Sequence, residues 1–179
     1  MATVTVKVEG LAQLRQALLR FPEELQKGPV KHAVAQTAIV VRDAARAIVP
    51  LLGERGNYTA AQMRAILKRR KPGTLRNAIR AGFSRRDSSR VQTTYNVYVR
   101  ALSRAARRKF KKGGGAGRNN PDDPYYWKAW EFGNSVNRSR PFLRPAFDTT
   151  HGRQLAVMEE KLREGIKRVE KKLSWSKPR

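Results

Sequence analysis

The sequence predicts an α+β fold, with a small antiparallel sheet packed against a long helix in the N-terminal half and a long C-terminal helix. Three patterns carry that reading. Residues 30–48 and 155–173 repeat apolar side chains every three or four positions, the period of an amphipathic helix. Residues 3–8 and 91–99 alternate instead, the period of a strand with one covered face. Between these patterns, residues 103–124 are basic, rich in glycine and poor in apolar side chains, as expected of a mobile loop.

Taken in order, Val4, Val6 and Val8 share one face of a strand that stops at Gly10. Leu11, Leu14, Leu18 and Phe21 then recur at helical spacing until Pro22. Val30, Val34, Ala38, Val41, Ala45 and Ile48 form the stripe of the first long helix, which Pro50 ends. Residues 51–72 read as an insertion. It opens in a turn with Gly53 and Gly56, then Thr59 offers an N-cap to a short helix from about Ala60 to Lys71, stopped by Pro72 and Gly73. Residues 75–83 read as a helical turn leading into a strand. Residues 91–99 read as a second strand, with Val91, Thr93, Tyr95, Val97 and Val99 on one face.

Residues 125–133, YYWKAWEFG, concentrate aromatics that suit a core or an interface. Pro141 and Pro145 bracket Phe142 and Leu143 in a stretch read as rigid and extended. Leu155, Met158, Leu162, Ile166, Val169 and Leu173 complete the stripe of the last helix, with a frayed tail expected over 174–179. The whole chain, 1–179, is expected to form one domain.

Composition narrows the function. Thirty-nine Lys and Arg against fourteen Asp and Glu give a net charge of +25. So large an excess points to a polyanion or an acidic partner nearby. There is no cysteine, hence no disulfide framework and no thiolate ligand. The N-terminus lacks the apolar stretch of a secretory signal, no apolar run approaches membrane-spanning length, and assembly in a cytoplasm is expected.

Catalytic patterns are missing. His32 and His151 stand far apart with no metal-ligand spacing around them. No serine sits in a GxSxG elbow, and the GGGAG run at 113–117 lacks the GK[ST] of a phosphate loop. Asp122–Asp123 and Glu159–Glu160 are adjacent pairs, which do not converge as catalytic dyads do. No enzymatic activity and no cofactor are expected.

Several segments, in their order, resemble the neck and tail-completion proteins of long-tailed bacteriophages, the family of the minor tail protein Z of lambda-like phages. They are VTVKVEGLAQLRQALLRFP at 4–22, the Ala/Val-rich helix ending at Pro50, GTLRNAI at 73–79, EFGN at 131–134 and PFLRPA at 141–146. Two departures stand out: residues 51–72 are inserted, and Gly73-Thr74 reverses the usual Thr-Gly order. Asn134 also replaces the family's threonine.

The resemblance implies a non-catalytic virion subunit in a homo-oligomeric ring, expected to be a hexamer, between head-closure and tail-tube proteins. It places Trp130, Glu131, Phe132, Gly133, Pro141, Phe142, Leu143, Arg144 and Pro145 at the family motifs and a subunit interface. An ion pair between Glu131 and Arg144 is expected to fix the segment before the last helix. The cations Arg104, Arg107, Arg108, Lys109, Lys111, Lys112 and Arg118 are expected either to meet genomic DNA in the ring lumen or to dock on an acidic neighbour. The competing reading is a sequence-independent nucleic-acid-binding protein. A basic toxin-like effector ranks last, for want of a catalytic set.

Overall fold

The computed structural model describes residues 28–49, 59–68, 71–89, 92–109, 117, 120–135 and 138–175. The strand expected over 3–8, the helix over 11–21 and the turn at Gly53 and Gly56 lie outside these residues, as do Arg69, Arg70, Val91, Lys111, Lys112 and Arg118. The fold is α+β, with two long helices and a two-stranded antiparallel sheet. Contacts divide the described residues into two compact units, 28–41 with 81–97 and 149–175, and 42–80 with 98–148.

Helix α1 spans Pro29–Ile48. Proline suits its first position, because the N–H it lacks would have no partner within the helix. The buried side chains are Pro29, Ala33, Thr37, Ala38, Val41 and Ala45, with Val30 and Val34 half-buried, so over the first half of the helix the covered stripe lies one residue earlier than the apolar repeat suggests. Thr37 is accommodated there by donating its hydroxyl to the Ala33 carbonyl at 3.0 Å.

In the first unit, Ala33 packs with Met158 and Leu162 of the C-terminal helix α7, His151–Trp175, flanked by Val30 and Val34. The approach is close. A Cβ on Gly165 of α7 would fall 2.5 Å from Pro29 Cβ. The stripe of α7 differs from the expected one, since Gln154 is buried while Leu155 is exposed. Gln154 is held by its backbone N–H on the Thr150 carbonyl at 2.8 Å and its amide on the Thr150 hydroxyl at 2.9 Å. These bonds let a polar residue take the inward position.

The outer face of α7 carries ion pairs at helical spacing, Arg163 with Glu159 and Arg168 with Glu164. The Lys161 ammonium bonds to Glu164 and Glu160, which raises the lysine above its ordinary value; the same Lys161–Glu164 bond lowers the glutamate. Ser174 and Trp175, expected to fray, belong to the helix.

Helix α2, Ala60–Leu67, begins as expected. Thr59 and Gln62 form a reciprocal capping box, with the Thr59 N–H on Gln62 Oε1 at 2.9 Å and the Gln62 N–H on Thr59 Oγ1 at 3.3 Å. It stops four residues short of the expected Lys71.

Helix α3, Thr74–Ala78, leads directly into β1, Ile79–Phe83, which pairs with β2, Tyr95–Val99. Gly73 precedes α3 at φ 76°, a backbone conformation that glycine adopts without strain. Ser84 N–H donates to the Thr94 carbonyl at 2.9 Å and Arg100 N–H to the Ala78 carbonyl at 2.8 Å. Both bonds fix one antiparallel register, which sets Ile79 opposite Val99, Arg80 opposite Tyr98 and Phe83 opposite Tyr95. The last pair meets edge to face, with ring centroids 5.6 Å apart.

Ile79, Val97 and Val99 are buried on one face, while Arg80 and Tyr98 on the other are exposed. The second strand is shorter than the alternating sequence suggests. The Thr94 N–H is taken by Ser88 Oγ at 2.9 Å, and the Thr94 hydroxyl donates to the Asp87 carbonyl at 2.8 Å, which keeps 92–94 in the connecting loop.

The stretch from 103, expected to be a mobile loop, opens with a helix, α4, Arg104–Lys109. Ser103 caps it, its Oγ accepting the Ala106 N–H at 3.2 Å and its carbonyl the Arg107 N–H at 3.0 Å. Alanine, arginine and lysine are all strong helix formers, and the last turn places Arg107, Arg108 and Lys109 at the negative end of the dipole. A second correction concerns the PFLRPA stretch. It is not extended throughout, because Leu143–Thr149 forms helix α6. Pro145 lies in its first turn, where a missing N–H breaks no intrahelical bond.

Candidate functional site

Two features of the second unit stand out: the junction of the EFG and PFLRPA segments, and a basic groove beside the hairpin.

The junction is built on helix α5, Trp127–Phe132. Trp127 N–H donates to the Pro124 carbonyl at 2.9 Å to start it, and Gly133, at φ 76°, closes it with a bond from its N–H to the Ala129 carbonyl at 3.0 Å. Glu131 is 6% exposed and points its carboxylate at the start of α6. Oε2 accepts the Phe142 N–H at 2.8 Å and the Leu143 N–H at 3.1 Å, and Oε1 accepts the Arg144 N–H at 3.3 Å. These donors lead into a helix whose first N–H groups lack intrahelical partners, and the positive dipole end favours the anion. Glu131 therefore serves as an N-cap supplied from another helix. The link to Arg144 runs through its backbone N–H, in place of the expected ion pair; the Arg144 side chain is exposed.

The chain returns to α5 through the Arg140 N–H, bonded to the Trp130 carbonyl at 2.6 Å. Of the residues expected at an interface, Phe142 (1% exposed) and Leu143 belong to the core. Phe132, at 55%, and Tyr125 remain at the surface. Tyr126 packs edge to face with Trp130 at 6.0 Å, and Trp127 lies 6.4 Å from Phe132. Pro141 is exposed and Pro145 half-buried.

The groove has a volume of about 420 Å³ and is lined by Lys71, Thr74, Asn77, Arg80, Arg100 and Ser103, among others. One wall is the turn before α3, pinned to the loop after 120. Thr74 Oγ1 donates towards the carbonyls of Lys71 at 2.9 Å and Pro121 at 3.0 Å, and Lys71 Nζ meets Asp122 Oδ1 at 2.8 Å. Asp123 is buried and accepts the Gly117 N–H at 2.6 Å, while the Asn120 side-chain oxygen accepts the Asp122 N–H at 3.0 Å. The opposite wall is the end of β2 and the first turn of α4, so Arg104, Arg107, Arg108 and Lys109 stand exposed next to it.

Behind the hairpin, Arg46 ties α1 to β1. Ile79 and Val99 face each other as a non-hydrogen-bonded pair, so the Ile79 carbonyl points away from β2, where Arg46 Nη2 donates to it at 2.8 Å. Arg76 Nε in turn donates to the Arg46 carbonyl at 2.7 Å, in the last turn of α1 where carbonyls lack helical partners. Burial, with Arg42 and Arg80 near, holds the Arg46 guanidinium below its ordinary value, and Asp43 offsets part of this.

Sequence reasoning located the α4 cations but missed Arg80 and Arg100. The signal was present. Once Val97 and Val99 are assigned to the covered face, Tyr98 and Arg100 fall on the other. What the sequence lacked was the register that brings Arg80 across to them. Among the described residues no cluster of His, Asp or Glu is placed to hold a metal ion, and no helix is long and apolar enough to cross a membrane. His32 and His151 are both exposed. Comparison with protein-family models, curated proteins and solved structures finds no match.

Proposed function

We propose that the chain is a non-catalytic structural subunit of the head–tail connector of a long-tailed bacteriophage. In this reading it forms a neck or tail-completion ring, expected to hold six copies, that joins the tail tube to the head and surrounds the DNA exit path. The observation that carries the proposal is the Glu131 junction. EFGN and PFLRPA are the segments that most closely resemble the neck and tail-completion family, and the Glu131 carboxylate caps the helix that begins within PFLRPA. A shared structural role for the two segments gives a physical reason for their appearing together. The exposed Phe132 and Tyr125 supply apolar surface suited to a neighbouring subunit, and the cations of α4 supply charge suited to DNA in a lumen.

The test is the solution mass by light scattering, after nuclease treatment and in high salt that strips bound nucleic acid. A closed oligomer near six copies is expected, either alone or on addition of head-closure and tail-tube proteins. A chain that stays monomeric with those partners present overturns the reading. The groove of Lys71, Arg80 and Arg100 favours a second reading, a sequence-independent nucleic-acid-binding protein. A monomer that binds duplex DNA tightly at moderate salt would put that reading first.

A further inference from the structure

We propose that the exposed face of the hairpin is a binding site for single-stranded nucleic acid, with a base stacked on Tyr98 and the flanking phosphates held by Arg80, Arg100 and Lys71 in the adjoining groove. The proposal does not depend on ring formation. It rests on the register of the sheet. Arg80 lies directly across from Tyr98, and Arg100, still bonded to β1 through its N–H on the Ala78 carbonyl, lies two residues along on the same face. Tyr98 thus has one arginine opposite it on β1 and another just beyond the end of β2. The hairpin's other face is already committed to the core by Ile79, Val97 and Val99. Tyr98 is 40% exposed, so packing inside the chain uses only part of its ring.

Both arginines line the groove of about 420 Å³, within the size range of ligand sites. The lining mixes apolar side chains with charged and hydrogen-bonding ones, and the latter suit a phosphodiester. Arg80, Arg100 and Lys71 supply positive charge, and Asn77 and Ser103 add neutral hydrogen-bonding groups. Among the described residues, Asp122 is the one acidic side chain in the lining, and it is engaged by Lys71. An acidic protein segment would use the cations but leave the tyrosine ring without a role. Duplex DNA would present phosphates but keep its bases stacked on each other. A single strand uses both features, because each base offers a face to an aromatic ring while its phosphates follow the basic groove.

With a net charge of +25 the protein binds any polyanion at low salt, so the test compares ligands and variants under screening conditions. The full chain is titrated against a fluorescein-labelled oligothymidylate of about 12 nucleotides and a duplex of equal length, at about 0.2 M salt, with anisotropy as the readout. The single strand is expected to bind the more tightly. Tyr98→Ala is expected to weaken it about ten-fold while leaving duplex binding within about two-fold, and Tyr98→Phe is expected to retain wild-type affinity, since stacking needs the ring and not the hydroxyl. Arg80→Gln and Arg100→Gln are each expected to weaken both ligands and lower the salt dependence. Lys167→Gln, at an exposed position of α7, controls for the general loss of one charge. Unfolding midpoints confirm that the variants fold. Equal affinity for strand and duplex, no effect of Tyr98→Ala, or displacement of the strand by polyglutamate as readily as by unlabelled oligothymidylate would each overturn the proposal.

Discussion

Replacing Glu131 tests the claim that helix α6 is capped from α5. Glutamine has the same shape but no charge, and one of its two terminal atoms is a donor. If its oxygen takes the place of Oε2, it keeps the bonds to Phe142 and Leu143 at neutral strength and turns an NH₂ group towards the Arg144 N–H. Bonds to a charged group contribute about 1.5–3 kcal/mol each and neutral ones about 1, a gross loss of about 2.5–7 kcal/mol that relief of the carboxylate's desolvation brings to roughly 2–3 kcal/mol. Alanine removes all three acceptors and leaves the helix start uncapped inside the protein. Relief of the buried carboxylate's own desolvation offsets part of that loss, and about 4 kcal/mol is expected. Urea unfolding reads the difference. With a slope of about 2 kcal/mol/M, Glu131→Gln should lower the midpoint by about 1 M. Since contacts divide the chain into two units, exchange protection of the Phe142, Leu143 and Arg144 amides is measured alongside, as a local readout independent of the global transition. A glutamine variant within about 0.5 kcal/mol of wild type, with those amides still protected, would falsify the capping argument.

Four further outcomes follow from the geometry. Gly165→Ala is expected to destabilise by about 1–2 kcal/mol, because the clash with Pro29 exceeds the roughly 1 kcal/mol gained in helix propensity; Gly152→Ala, with open space around it, should be neutral or stabilising, and thermal unfolding of the pair checks both. Arg46→Met should cost about 1–2 kcal/mol in chemical denaturation, by leaving the Ile79 carbonyl without its donor. Glu164 is held below the ordinary carboxylate range in the folded chain, so its stabilisation is present above that range and is lost as pH falls through the lowered value. Lys161 is raised, so its share is present below the ordinary lysine range and is lost only as pH rises through the raised value. Helicity followed by circular dichroism on acidification should therefore decline less in Glu164→Gln than in wild type. Replacing Arg107 and Arg108 together by glutamine should reduce the slope of log affinity for duplex DNA against log salt by about 1.8 if both meet phosphates, and leave it unchanged if α4 docks on protein.

The sequence by itself determined the parts of this protein whose causes lie within a few residues of each other. The 3.6-residue repeats of α1 and α7, the Thr59 cap of α2 and a helical turn leading into a strand within 75–83 are all local, and each was legible as a pattern. So was the charge excess. Tertiary structure decided whatever depended on a partner elsewhere in the chain. A periodic stripe names a face only to within about one residue, so only the folded packing shows Gln154 buried and Leu155 outside. The PFLRPA segment forms a helix because a carboxylate from eleven to thirteen residues upstream receives its N–H groups. Thr74 meets a carbonyl 47 residues away to close the basic groove. Arg80, Tyr98 and Arg100 share one face only because of the strand register. Periodicity is written in neighbouring residues, whereas a cap, a register and a groove are set by long-range contacts that become favourable only when the chain has folded.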